Sequence, residues 1–331
     1  MSEVIPSRGV RSRRLFMFIA ALGVLTYIGI AFAVGSARLT SAVVRLGWQG
    51  VLAVLALSVS SYLLRFQRWQ MYLRRFGHHL PAFRHLLVYV SGFAFTLSPG
   101  KAGEALRSMY LRDHGVLYAE SLAAFFVERM LDVLAMVILA AFIVVDHAAY
   151  QKLVIGALLV VLLLIIGVSR PGLPKILDVY AAGRTGRLVR VVAGLANLLK
   201  SSRSLLRWSA LTWGITLGTL AWAALGLGLC AILRGLHATI APPVAIGIYA
   251  MAVLAGNAAI FLPGGIGGTE IVMVALLRES GVPMQSAILA ALLCSLATLW
   301  FAVLIGIAAG WVIEFAPLNG SASTVKSIPR T

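Results

Sequence analysis

Twice in this chain a proline–glycine break falls in the middle of an apolar segment. The first is Ser98-Pro99-Gly100-Lys101-Ala102-Gly103-Glu104. About half a chain later comes Leu262-Pro263-Gly264-Gly265-Ile266-Gly267-Gly268-Thr269-Glu270. The residues just beyond each break recur as well: Leu111-Arg112-Asp113-His114-Gly115-Val116 is echoed by Leu277-Arg278-Glu279-Ser280-Gly281-Val282. The step from Glu104 to Arg112 equals the step from Glu270 to Arg278. A duplicated unit must be built twice in one fold, so the pair constrains the architecture more than any single motif does.

The breaks lie in a chain suited to lipid. Hydrophobic residues make up 60% of the 331 and charged residues 12%. Several apolar runs reach the roughly 20 residues that a helix needs to cross a bilayer. This excludes a soluble domain and predicts an all-α polytopic membrane protein, since the dyad alternation of an outer-membrane barrel is absent. The net charge of +17 would suggest nucleic acid in a soluble protein. Here the basic residues gather between apolar runs, the positive-inside pattern that also suits anionic head groups, and no nucleic-acid partner is expected. Cys230 and Cys294 lie in apolar runs without metal-ligand spacing, and His78-His79 sits in a basic loop. No metal or other cofactor is implied.

Arg11, Arg13 and Arg14 precede an apolar run from Leu15 to Val34, longer than a signal core, which reads as an uncleaved first span, Leu15–Gly35. An outer loop, Ser36–Leu46, leads to a second span from Trp48 to about Tyr72, with Arg65 and Arg68 in its inner third. His85–Ser98 is a short apolar arm, roughly 21 Å as helix against a roughly 30 Å hydrocarbon core, and Pro99-Gly100 ends it. Ala102–Leu111 leads back, so this copy reads as a re-entrant hairpin whose irregular backbone is shielded inside the bundle. Ala119–Val145 then spans outward and Lys152–Ser169 inward. Residues 170–207 hold eight Lys/Arg and one acid, Asp178. Within them Leu188, Val191, Val192, Leu195, Leu198 and Leu199 share a helical face, which fits an interfacial helix or one packed on the protein's own cytoplasmic face. In the second half Leu205–Leu233 spans outward, Val244–Leu262 enters, Thr269–Arg278 leads back, and Gln285–Phe315 spans inward. The expectation is one integral membrane domain, 1–331, with six full spans and two re-entrant hairpins. Its halves, about 48–145 and 205–315, form an inverted-topology repeat joined by the linker 170–207, with both termini cytoplasmic. Counting each hairpin's longer arm as a span gives eight.

The candidate chemistry is intramembrane. Glu128, Arg129 and Asp132 lie near the middle of a span, where a bare charge costs about 2.5–3.5 kcal/mol on insertion scales. Glu128 and Asp132 share a face at i, i+4, and Arg129 can pair with Asp132 at i, i+3. The cluster suits ion or head-group binding, or a self-neutralised structural role. In the register of the duplication these positions correspond to Cys294, Ser295 and Thr298, so the charges belong to one half only. Glu104 and Glu270 each open a short helix, as dipole partners or as proton or cation sites, and Thr269 is a candidate N-cap. Pro99, Gly100, Gly103, Pro263, Gly264, Gly265 and Gly267 permit tight turns and close backbone approach. Two half-helix N-termini facing the bundle centre favour an anion, of which a lipid phosphate is the obvious one. Lys101, Arg107, Arg65 and Arg68 are its candidate partners, unless Arg65 and Arg68 snorkel to the inner interface. Asn257 can bond backbone freed by the break. No His-Glu-x-x-His, nucleophile elbow or Gly-Lys-Ser/Thr loop is present, so no catalytic residue is expected.

These residues resemble a known family. Arg65-Phe66-Gln67-Arg68-Trp69, Ser98 through Arg107, Glu128-Arg129-Met130-Leu131-Asp132, and Asn257 with Leu262 through Glu270 are similar to the motifs of the flippase-like, lysylphosphatidylglycerol synthase transmembrane family. The resemblance covers nearly the whole chain. It implies a module that moves lipid between leaflets of a bacterial cytoplasmic membrane, and that in the best-known members precedes a soluble aminoacyl-transferase domain. This chain stops after its last span, so the resemblance implies a translocase without synthase activity. The expected partners are membrane lipids, through their phosphate head groups. The alternatives are an accessory subunit of a lipid-modifying or glycosyl-transfer enzyme and an ion-coupled small-solute transporter.

Overall fold

In the computed structural model of the chain, the described residues are 29, 36–96, 107–112, 114–144, 148–258 and 267–315. The expected first span lies outside them except for Gly29, as do Pro99, Gly100, Lys101, Gly103, Glu104, Pro263, Gly264 and Gly265. All regular structure among the described residues is helical. The elements are α1 (Ser36–Arg75), α2 (Ala82–Ser91, continued by a 3₁₀ turn to Phe95), α3 (Arg107–Arg112), α4 (Tyr118–Val144), α5 (Gln151–Ser169), α6 (Gly172–Ala181) and α7 (Arg187–Leu205). The second half adds α8 (Trp208–Gly235), α9 (Pro242–Ala258), α10 (Gly268–Glu279), α11 (Met284–Ser295), a π-turn (Leu296–Trp300) and α12 (Phe301–Phe315).

Among the described residues four helices are long and apolar enough to cross a membrane: Leu39–Arg75, Gln151–Ser169, Trp208–Gly235 and Met284–Phe315. The segments Ala82–Phe95 and Pro242–Ala258 are shorter apolar helices. α4 has 27 residues, length enough to cross, but holds the three charges. α5 exposes Leu153, Leu159, Val160, Leu163 and Leu164 to its surroundings. A helix apolar all round and bare on its outside is at home only in lipid.

The outer loop expected at Ser36–Leu46 is helical instead. The chain is continuous helix from Ser36 to Arg75 except at Gly47, whose φ of 70° breaks it. Only glycine enters that region freely, and the loop reading missed that one residue can redirect a helix without a turn.

The recurring Leu-Arg-acid-x-Gly-Val stretches close their helices with the same hydrogen bonds. After α3, Gly115 N–H donates to Arg112 O at 3.0 Å and Val116 N–H to Leu111 O at 3.2 Å. After α10, Gly281 N–H donates to Arg278 O and Val282 N–H to Leu277 O, both at 3.0 Å. Gly115 and Gly281 stand at φ 82° and 84°. This is the Schellman closure, which needs a left-handed residue where the repeated glycine sits. A second pair closes α1 and α8. Gly77 (φ 88°) and His237 (φ 58°) donate to Arg74 O and Arg234 O, and His78 and Ala238 donate to Leu73 O and Leu233 O.

Helices far apart in sequence pack together. α1 lies along α8, α4 against α9, and α12 against α2. α4 runs through both main apolar clusters. Ala135 to Ile143 join α8, α9 and α11, whereas Ala124 to Leu134 join α1, α2, α5 and α7. The π-turn interrupts the last long helix where α1 touches it. Ser58 Oγ donates to Ala297 O at 2.8 Å and Tyr62 OH to Thr298 O at 2.7 Å. Side chains of α1 thus take up carbonyls that a widened helical turn presents outward.

Candidate functional site

Arg65 and Arg68 sit one turn apart on α1 and serve different surroundings. Neither snorkels. Arg68 is fully buried, and its Nη2 lies 2.6 Å from Asp132 Oδ1 and 3.4 Å from Glu128 Oε1. Space for it comes from Gly218 on α8, while Gly214, one turn earlier, makes room for Tyr72. A Cβ at Gly218 would stand 2.5 Å from Arg68 Nη1, and Nη1 donates to Gly214 O at 3.5 Å. Small residues at this spacing let two membrane helices approach closely.

α4 presents Glu128 and Asp132 to the same point. Glu128 Oε2 accepts from Arg107 Nη2 at 2.6 Å, and its Oε1 accepts from Tyr89 OH at 2.8 Å. Asp132 Oδ2 pairs with Arg129 Nη2 at 3.0 Å. Arg107 is buried with its guanidinium 3.7 Å from the Trp69 ring centre and 4.7 Å from that of Tyr89. Three arginines therefore face two carboxylates, and each carboxylate meets at least two cations. Every member except the partly exposed Arg129 is sealed from solvent. Such a knot is hard to break from one side, because the partner left behind is a buried, uncompensated charge.

Arg65 faces the other way, into a cavity of about 70 Å³. Polar groups from five helices meet there: Tyr62 and Arg65 of α1, Tyr249 and Asn257 of α9, Thr269 and Glu270 of α10, Ser295 at the end of α11 and Thr298 of the π-turn, with Trp222 of α8 beside them. Arg65 is 8% exposed. Its guanidinium lies over Trp222, 4.1 Å from the ring centre. Its Nε and Nη2 are buried and have no hydrogen-bond partner among the described residues. A buried guanidinium with idle donors is costly unless something occupies the space before it.

Glu270 behaves as a cap. Its Oε2 accepts from Gly267 N–H at 2.7 Å, and its Oε1 accepts from Ser295 Oγ at 2.5 Å. Gly267, at φ 84°, is the N-cap of α10. Thr269, expected to cap, lies inside the first turn and faces the cavity, because Glu270 reaches back and does that work.

The candidates thus separate into a sealed ion knot (Arg68, Arg107, Glu128, Arg129, Asp132) and an open polar cavity (Arg65, Asn257, Glu270), with Gly267 at the cavity's capping turn. Reasoning from the sequence missed Tyr89 and Trp69 in the first, and Tyr62, Trp222 and Tyr249 in the second. Trp69 adjoins Arg68 in the motif, but the others carry no local signal. Among the described residues no three His, Cys, Asp or Glu side chains converge as a metal site, and Cys230 and Cys294 are buried free thiols.

An apolar helical bundle with a buried ion knot and a polar cavity defines an integral membrane protein. The profile of the family described as "Lysylphosphatidylglycerol synthase TM region" matches residues 18–306, and the chain belongs to that family. Among curated proteins none matches the chain.

Proposed function

We propose that this protein is a lipid translocase that carries a phosphate-bearing head group past the bilayer interior by way of the Arg65 cavity, without catalysing a chemical step. The observation that carries the reading is Arg65, which lines a polar cavity and has a buried guanidinium with two donors unused. Membership in a family related to lipid modification supports it. An apolar groove supports it too. Leu296, Ala297 and Trp300 of the π-turn line a groove of about 200 Å³ with Val54 and Leu55 of α1, while Thr298 and Leu299 of the same turn line the cavity. Head group and acyl chain would lie on either side of one turn. The test is the purified protein in liposomes with a panel of fluorescent phospholipids. Movement between leaflets should exceed that in protein-free liposomes for at least one lipid. No excess across the panel would sink the proposal.

The two halves act, in this reading, as an inverted repeat of six spans and two hairpins in a bacterial inner membrane, with both termini cytoplasmic. The paired Schellman turns and the exchange of α4–α9 for α2–α12 packing support it. His114→Cys and Ser280→Cys, which flank the equivalent glycines, should then label from opposite sides of the membrane. Labelling from one side would overturn the inversion while leaving the duplication intact.

A further inference from the structure

We propose that the outward face of α6 and α7 docks on the anionic head-group layer of the bilayer the protein spans. This does not rest on the translocase reading. The two helices join α5 to α8, both long and apolar enough to cross a membrane, so they sit where two crossings end on the same side. They are tied there. Arg203 Nε donates to Ser169 O at 3.0 Å, and Lys200 pairs with Asp178 at 2.8 Å. α7 turns Ala196, Leu199, Ser202 and Leu205 inward, packing against α4 and α5. α6 turns Pro174 inward.

Beyond these contacts an apolar surface is left neither packed nor polar: on α6 the side away from Pro174, and on α7 the N-terminal part of the same apolar stripe that Leu199 continues. On α6, Leu173, Ile176, Val179 and Tyr180 are exposed, Ile176 to 66% and Val179 to 76%. On α7, Leu188, Val191 and Leu195 are exposed. Apolar surface of this extent belongs against something. Its borders say what. Lys175, Arg184, Arg187 and Arg190 flank it, all exposed. Across 170–207 eight cations face one acid, and that acid, Asp178, is already paired with Lys200. An apolar face with a cationic rim, held at the end of two crossings, matches head groups of net negative charge and the acyl boundary beneath them. An acidic partner protein would need its own apolar ridge at the same level, where lipid is already present. The amphipathic segment read from the sequence therefore meets both of its expected fates. The C-terminal part of its apolar stripe packs on the protein and the N-terminal part is free for lipid.

The test places a fluorophore on Val179→Cys in a Cys230→Ser, Cys294→Ser background. The full-length protein is held in nanodiscs of phosphatidylcholine alone or mixed with phosphatidylglycerol. The emission should shift to the blue, and quenching by nitroxide-labelled lipid should rise, as phosphatidylglycerol is added. High salt should reverse part of the change. Neutralising Arg184, Arg187 and Arg190 to glutamine should weaken the preference for phosphatidylglycerol by roughly fivefold per charge. Equal shielding in both lipid mixtures would overturn the anionic requirement. A probe exposed to water in every bilayer would overturn docking altogether. Shielding in detergent that rises with protein concentration would assign the face to a second copy instead.

Discussion

Replacing Asp132 with alanine is expected to destabilise the intact protein by about 3–5 kcal/mol, the usual penalty for removing one side of a buried ion pair. Arg68 would keep only Glu128, at 3.4 Å, while remaining fully buried between α8 and α4. Arg129 would lose its partner at 3.0 Å. The loss reflects the charge left behind more than the attraction removed. The double change Arg68→Leu with Asp132→Leu should therefore recover much of it, since no fully buried cation is then left without its carboxylate and the partly exposed Arg129 keeps Glu128 at 3.8 Å. Thermal unfolding of the purified protein in nanodiscs reads both effects. A single variant as stable as the wild type would show that the knot bears no structural load.

Arg65→Ala should behave in the opposite way. No ion pair is lost, because the guanidinium has none among the described residues; it gives up the contact with Trp222 and the burden of a buried charge. Unfolding should be nearly unchanged. Lipid movement in liposomes should fall roughly tenfold to a hundredfold, the factor expected from losing about 1.5–3 kcal/mol of charge-assisted hydrogen bonding. Arg65→Lys should retain part of the activity, since it keeps the charge and loses the planar fork. Transport by Arg65→Ala at the wild-type rate would remove the cavity from the mechanism.

The contrast between these two arginines shows how far the sequence could be read. Both stood out as charges in an apolar run, and the i, i+3 pairing of Arg129 with Asp132 came from helix geometry alone. Their fates depend on which neighbour each faces. That is set by Gly214 and Gly218, more than a hundred residues away on α8, and no local pattern encodes it. Arg107 was legible as a cation but not as the partner of Glu128, for the same reason. Glu270 was legible as an acid opening a helix because that placement is local, whereas the cap was read at Thr269 and lies instead at Gly267, held by Glu270. Leu-Arg-acid-x-Gly-Val was read only as a recurring stretch, yet every atom of the Schellman turns it forms lies within six residues. The π-turn at Leu296–Trp300 was not legible, since Ser58 and Tyr62 reach it from the other end of the chain.

The sealed knot and the open cavity also differ in what they allow to move. Arg68, Arg107, Glu128 and Asp132 fasten α1, α3 and α4, and their surroundings fasten α2, into one body that thermal motion will not part. Among the described residues no ion pair holds the seam where α9, α10 and the π-turn meet Arg65; Ser58 and Tyr62 reach the π-turn through single hydrogen bonds, and Glu270 is tied to the head of its own helix and to the end of α11. In the translocase reading we propose, the knotted helices would be the fixed part, and a cycle that exposes Arg65 first to one side of the membrane and then to the other would move α9, α10 and the π-turn against them.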